Sequence, residues 1–204
     1  MANILTFLRI IISLIIPIVF WLIINFVSNY NEEKFFLILL ILFVLASISD
    51  FFDGFIARKY NQESITGKIL DPIADKLLVI ISLIILIISF SGNPIIFFSS
   101  IAIIFREILI SGLREITKSS GLTLNVTKLS KWKTAAQLTS IILLFLNISI
   151  YNNSYQELIF PQLVYTFSYL FGNLFILIAS LLSILSAYEY VRFTKNFMKE
   201  KDRI

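Results

Sequence analysis

Four aspartates are spaced so that they can act as one group. Asp50 and Asp53 are three residues apart, and Asp71 and Asp75 are four apart, so each pair shares a helix face if its flanks are helical. Burying all four carboxylates in a membrane without a countercharge would cost on the order of 10 kcal/mol. Hard divalent cations such as Mg²⁺ take oxygen ligands and usually share them with phosphates, so the spacing predicts a metal-phosphate site. Solvated charges at helix ends are the simpler alternative.

The helices that position these carboxylates are predicted to lie in a membrane. Of the 204 residues, 58% are hydrophobic and 20 are Phe, above the roughly 45–50% apolar share of soluble domains. Cys and His are both absent, which excludes disulfides, thiol nucleophiles and histidine chemistry and leaves carboxylates, amines and hydroxyls. Membrane lipid is therefore an expected partner. The formal net charge is only +4, and no nucleic-acid partner is expected.

The fold class that follows is an all-α integral membrane protein. Apolar segments able to cross a hydrocarbon core of about 30 Å recur along the chain, which predicts one domain over residues 1–204 with six transmembrane helices. The expected helices are 3–27, 35–58, 67–90, 95–117, 134–150 and 158–191. Between them we expect a polar hairpin tip at 59–66, with Pro72 in the first turn of the third helix, and a long polar connection at 118–133.

The basic residues predict the orientation of this bundle. Lys and Arg are concentrated in the turn at 58–68, the connection at 118–133 and the C-terminal tail, whereas the opposite turns contain only Lys34. The positive-inside rule then places both termini and the carboxylate site at the cytoplasmic face. The metal site is accordingly expected at the cytoplasmic end of helices 2 and 3.

The segment 50–75 contains a recognisable motif. It reads Asp-x-x-Asp-Gly-x-x-Ala-Arg, then eight residues, then Gly-x-x-x-Asp-x-x-x-Asp. This resembles the signature of the CDP-alcohol phosphatidyltransferases, with every fixed position filled. The resemblance implies a six-helix membrane enzyme, usually a homodimer, that moves a phosphatidyl or related phosphoryl group from a CDP-linked lipid to an alcohol and releases CMP. The signature does not itself name the alcohol.

Roles for individual residues are implied by their positions in that signature. Asp50, Asp53 and Asp71 would be ligands of Mg²⁺ or Mn²⁺, with two ions expected, and Asp75 would be a ligand, the general base, or both. Small residues beside the carboxylates also suit close helix packing in membranes, which is the structural alternative. The residues that the signature implies to contact the CDP-lipid are Gly54, Arg58, Ser64 and Gly67. Asn3 and Thr6 are added because the opening Asn3-Ile4-Leu5-Thr6 resembles the start of family members, where it lies near the nucleotide.

A second group of charges lies further along the chain. Arg106 and Arg114 are eight residues apart, about 80° around a helix, so both can face the carboxylate hairpin. Together with Lys131 and Lys133 they suit a phosphate group. The alternative is anchoring, because cytoplasmic helix ends are normally basic.

Three further motifs narrow the resemblance. Family members whose acceptor is glycerol-3-phosphate are similar in Arg-Glu at 106–107, Ser-Gly-Leu-Arg-Glu at 111–115 and Lys-Trp-Lys-Thr at 131–134. The resemblance therefore implies CDP-diacylglycerol and glycerol-3-phosphate as substrates, with Arg106, Arg114, Lys131 and Lys133 on the acceptor. The first helix matches loosely, and the sixth contributes only length and hydrophobicity.

Other functions stay open at this point. Cardiolipin synthase or another CDP-alcohol enzyme would carry the same signature. An ion-coupled transporter also uses intramembrane carboxylates, but would place them near the midplane on broken helices, often with repeat symmetry. A polyprenyl-type transferase shares Asp-rich metal motifs, although the Asp-Gly-x-x-Ala-Arg element and the small chain argue against it.

We expect activity to require added Mg²⁺ or Mn²⁺, because four converging carboxylates need positive charge between them. Asp50→Asn, Asp53→Asn and Asp71→Asn should each abolish transfer without preventing membrane insertion. Transfer of a labelled lipid by the purified protein, with and without a chelator, measures this. Full activity in the presence of the chelator would contradict the expectation.

Overall fold

The computed structural model describes residues 2–26, 32–60, 65–119, 128–150 and 159–201. Within these ranges, side chains are not described for 2–5, 32–33, 50–69, 116, 118–119, 128, 159–161 and 196–201. The described residues form six α-helices: α1 (Ala2–Phe26), α2 (Glu32–Tyr60), α3 (Ile65–Ser89), α4 (Pro94–Ser119), α5 (Lys128–Ile150) and α6 (Ile159–Lys201). The prediction of an all-helical chain is confirmed for this part of the protein.

Five of these helices are long and apolar enough to cross a membrane, namely α1, α3, α4, α5 and α6. The chain is therefore an integral membrane protein. In α2, the apolar segment is shorter and covers Lys34–Ser49 within the described residues. Thus membrane crossing is supported for five helices, and a sixth span remains a prediction.

The helix boundaries differ from the predicted ones chiefly where polar residues suggested a loop. Helix α3 already begins at Ile65, so Pro72 lies inside it and removes a helical hydrogen bond, contrary to the prediction of a first-turn position. Helix α5 begins at Lys128, so Lys131 and Lys133 are helical, and α6 continues to Lys201. Polarity marks where a helix leaves the apolar layer, whereas backbone hydrogen bonding continues beyond that point.

The bundle is held by contacts between neighbours on several sides. Helix α1 packs against α2 and α3, α2 packs against α5, and α6 packs against α4 and α5. Phe43 of α2 and Phe145 of α5 are both fully buried, and their rings meet edge to face with centroids 6.0 Å apart. Because lipid is as apolar as these side chains, close packing rather than water exclusion stabilises such contacts.

Hydrogen bonds from polar side chains of α5 hold α6 in place at several positions along its length. Asn147 of α5 donates to the backbone oxygen of Tyr165 at 2.9 Å and to Ser168 Oγ at 3.1 Å, and Ser140 Oγ donates to the backbone oxygen of Gly172 at 3.1 Å. In an apolar environment no water can replace such a hydrogen bond. A shift between the helices would leave these polar groups unpaired, so the bonds help to specify the helix register.

One residue both starts α4 and ties it to α6. Asn93 Oδ1 accepts from the backbone N–H groups of Ile95 and Ile96, at 2.9 and 3.3 Å, which caps the helix that Pro94 opens. The Asn93 amide also donates to Asn173 Oδ1 at 2.8 Å. The tight turn predicted from Ser91-Gly92-Asn93-Pro94 therefore also fixes the position of α6.

We expect an added side chain at Gly172 to destabilise the protein. A Cβ there would lie 2.7 Å from Leu144 Cδ2 and 2.9 Å from Leu144 Cγ, and Leu144 is itself fully buried. Overpacking should make Gly172→Ala less stable by about 1–2 kcal/mol, measured by thermal unfolding in detergent.

Gly112 of α4 offers the matched control for this substitution. Among the described residues, nothing lies within 4 Å of a Cβ added at Gly112. Gly112→Ala should therefore be neutral or gain up to about 1 kcal/mol from helix propensity. Equal stability of the two alanine variants would contradict the packing argument.

Candidate active site

A cavity of about 510 Å³ lies among α3, α4 and α5. The lining residues come from the beginning of α3, the second half of α4 and the beginning of α5, so the cavity lies towards one end of the bundle. Its lining brings together charges of both signs: Asp71, Asp75, Lys76, Arg106, Glu107, Arg114, Glu115 and Lys133. Described members of both charged groups recognised in the sequence thus face a single space.

Asp71 and Asp75 of α3 form an acidic wall of the cavity, and α1 anchors it. Arg9 is fully buried and forms an ion pair with Asp75, whose side chain remains 46% exposed. One turn away on each helix, buried Thr6 donates a hydrogen bond to Asp71. Helix α1 therefore holds both described carboxylates of the motif, and Arg9 supplies positive charge that the sequence reasoning did not assign to them.

Arg106, Arg114 and Lys133 form a basic wall of the cavity, and a carboxylate lies among them. Glu107 forms ion pairs with Lys133 of α5 and with Arg106, whose nitrogen lies 3.5 Å from it. Arg106 and Lys133 are buried and Glu107 is only 15% exposed. Because two cations share one carboxylate, this wall keeps an excess positive charge that suits an anionic ligand.

Helix α6 braces the two arginines. Arg106 donates to Ser186 Oγ at 3.1 Å, and Arg114 donates to the Tyr190 hydroxyl at 2.9 Å. The Tyr190 ring also lies 5.2 Å from the Arg114 Cζ and 6.0 Å from the Arg106 Cζ, within the range of cation–π attraction. Sequence reasoning missed Ser186 and Tyr190, because a Ser and a Tyr four residues apart in an apolar helix carry no distinctive signal.

The predicted site residues divide into those with described side chains and those without. Five of those with described side chains line the cavity: Asp71, Asp75, Arg106, Arg114 and Lys133. Thr6 is buried against Asp71, and its contact with the CDP-lipid stays a prediction. Lys131 is exposed and is not one of the lining residues, so its contact with the acceptor stays a prediction. The predicted residues whose side chains lie outside the description are Asn3, Asp50, Asp53, Gly54, Arg58, Ser64 and Gly67.

The oxygen chemistry of the acidic wall fits a hard divalent cation. Asp71 and Asp75 line the same cavity one helical turn apart, but two carboxylates are fewer than a closed cation site uses. Among the described side chains, no group of three or more potential metal-binding residues occurs. The predicted ligands Asp50 and Asp53 would have to complete the set.

The combination of a membrane bundle, paired carboxylates and a cationic pocket agrees with a family match. A model of the CDP-alcohol phosphatidyltransferase family matches residues 1–187 of this chain. The chain therefore belongs to the CDP-alcohol phosphatidyltransferase family and is an enzyme of that class.

Individual relatives give a narrower comparison. A Rickettsia typhi protein is 34% identical over 197 residues, covering 97% of this chain and 99% of the relative. A Bacillus subtilis protein is 37% identical over 157 residues, covering 77% and 72%. A Cereibacter sphaeroides protein is 52% identical over 108 residues. The match covers 52% of this chain and 48% of the relative. All three are named CDP-diacylglycerol--glycerol-3-phosphate 3-phosphatidyltransferase.

We expect Glu107→Gln to destabilise the bundle, because it leaves Lys133 and Arg106 buried with their shared countercharge removed. Losing one partner of a buried ion pair costs about 3–5 kcal/mol, and the lower end applies since the cavity admits water. Thermal unfolding in detergent measures the loss.

Two further variants separate this effect from a general loss of charge. Glu115→Gln changes an exposed carboxylate on the same helix and should alter stability by less than about 1 kcal/mol. Adding Lys133→Met to Glu107→Gln should restore part of the stability, since no unpaired ammonium then remains. A double variant less stable than Glu107→Gln alone would contradict the ion-pair account.

Proposed function

We propose that this chain transfers the phosphatidyl group of CDP-diacylglycerol to glycerol-3-phosphate, giving phosphatidylglycerophosphate and CMP. The observation that carries the proposal is the shared cavity, in which Asp71 and Asp75 face the same space as Arg106, Arg114 and Lys133. An acceptor that is itself a phosphate monoester needs a cationic pocket beside the reacting groups. The printed names of the Rickettsia and Bacillus relatives support the same pair of substrates.

In this proposal the reacting oxygen is the C1 hydroxyl of glycerol-3-phosphate. It attacks the lipid-side phosphorus of CDP-diacylglycerol, a new P–O bond forms, and the bond to the departing CMP breaks. Asp75 accepts the hydroxyl proton, because its carboxylate is half exposed to the cavity while Arg9 holds it from behind. The same carboxylate would also be a metal ligand, and the two roles differ in whether its loss lowers kcat or metal affinity.

The diphosphate of the donor needs positive charge at the acidic wall. Mg²⁺ or Mn²⁺, held by Asp71 and Asp75 with the predicted ligands Asp50 and Asp53, would supply that charge when bound. Arg58 would add a contact to the diphosphate, as the family resemblance implies. Arg9 contributes to the same end by neutralising part of the charge on the carboxylates.

The acceptor phosphate would lie against the opposite wall. Arg106 and Arg114 are held by Ser186 and Tyr190, so the guanidinium groups are positioned before the ligand arrives. Preorganised donors lose less conformational entropy on binding than free side chains do. This wall would therefore select an acceptor with a terminal phosphate over a neutral alcohol.

The membrane setting completes the proposal. With α2 as a sixth span, the cavity end of the bundle would face the cytoplasm by the positive-inside rule, where CDP-linked and phosphorylated substrates would be met. A homodimer is proposed from the family resemblance.

Purified protein with labelled CDP-diacylglycerol should transfer to glycerol-3-phosphate in preference to glycerol, inositol or phosphatidylglycerol. Arg106→Ala and Arg114→Ala should each raise the KM for glycerol-3-phosphate by about 10-fold to 100-fold, because each removes a charge-assisted contact to phosphate. The KM for CDP-diacylglycerol should change much less.

Arg192→Ala is the matched control, since Arg192 is exposed on α6 and does not line the cavity. It should leave both KM values unchanged. Preferred transfer to phosphatidylglycerol would identify a cardiolipin-type reaction instead. Equal loss for both substrates in the two arginine variants would argue against an acceptor pocket at this wall.

A further inference from the structure

Helix α5 contributes a row of polar residues to the cavity, and one of them is buried with an atom that has no hydrogen-bond partner among the described residues. Helix α5 contributes Ser130, Lys133, Thr134 and Gln137, whose spacing of three, one and three residues puts them on one helix face. Gln137 lies about 14 Å along the helix axis from its start at Lys128, counted at 1.5 Å per residue. It is therefore the deepest polar residue that α5 contributes to the cavity.

The neighbours of Gln137 on this face are engaged by the protein itself. Lys133 is paired with Glu107, and Thr134 Oγ1 donates to the backbone oxygen of Ser130 at 3.0 Å. Gln137 is only 3% exposed, yet its Oε1 has no hydrogen-bond partner among the described residues. Buried polar atoms are nearly always paired, so this acceptor points to a ligand.

A second buried atom in the same lining is also without a partner. Arg106 bonds through its terminal nitrogens, but its Nε–H has no hydrogen-bond partner among the described residues. The cavity thus offers one cationic donor and one neutral amide. A ligand that satisfies both offers an acceptor to the Arg106 N–H and a donor to the Gln137 oxygen, as a phosphate oxygen and a hydroxyl group of the proposed acceptor would.

We propose that Gln137 binds the C2 hydroxyl of the acceptor and that this contact makes the enzyme specific for acceptors that carry this hydroxyl. This inference rests on the proposed function and names the residue that distinguishes a glycerol phosphate from other phosphate monoesters. The C1 hydroxyl must face the carboxylates on α3 and the C3 phosphate must face the arginines on α4. The remaining C2 hydroxyl is then left to α5, where a terminal amide can both accept and donate.

The test compares two acceptors that differ only at C2. Transfer from CDP-diacylglycerol is measured with glycerol-3-phosphate and with the monophosphate of propane-1,3-diol, which lacks the C2 hydroxyl. Wild-type protein should prefer glycerol-3-phosphate by about 10-fold in kcat/KM, because the analogue leaves the buried amide unpaired. Gln137→Met, which keeps the volume and removes the amide, should lower that preference to about 1-fold by losing activity towards glycerol-3-phosphate alone.

Gln162→Met is the matched control, since it makes the same change at an exposed position on α6 and should keep the full preference. Gln137→Asn, which withdraws the amide by one methylene, should give an intermediate preference and serves if the methionine variant does not fold. An equal fall for both acceptors would assign Gln137 to cavity shape and overturn the inference. A wild-type protein that uses both acceptors equally would also overturn it, whereas one that uses neither would refute the proposed function itself.

Discussion

The ion pair between Arg9 and Asp75 is the contact on which the acidic side of the cavity depends. A fully buried guanidinium in an apolar bundle is costly unless a carboxylate meets it, and the half-exposed carboxylate of Asp75 does so. The pair therefore fixes the distance and rotation of α1 relative to α3. Thr6 repeats the same connection one turn away through Asp71, so two points rather than one define the helix register.

The same electrostatic requirement shapes the opposite wall, with a different outcome. Glu107 neutralises part of the charge on Arg106 and Lys133, which lets two cations remain buried close together. Its single negative charge does not balance both, and Arg114 adds a third cation beside Tyr190. The wall thus pairs its two buried cations with a carboxylate and still attracts an anion.

Helix α6 has a larger part in the site than its apolar sequence indicates. It packs along α4 and α5, and Ser140, Asn147 and Asn93 each bond to it at a different level. That anchoring places Ser186 and Tyr190 behind the arginines. The acceptor wall therefore depends on helix packing far from the cavity, because a shift of α6 would move the groups that hold both guanidiniums.

Much of this molecule could be predicted from the sequence, since the properties concerned are local. Apolar length predicts membrane helices, and three- or four-residue spacing places Asp71 with Asp75 whatever the bundle does. The pairing of Arg9 with Asp75, the bracing of Arg114 by Tyr190 and the unpaired oxygen of Gln137 could not be predicted in this way. The two contacts join residues more than 60 positions apart, and the Gln137 oxygen is unpaired because no described donor lies within reach. Helix packing alone decides both. Charge pattern therefore determined which residues could do chemistry, and packing decided which of them face one another.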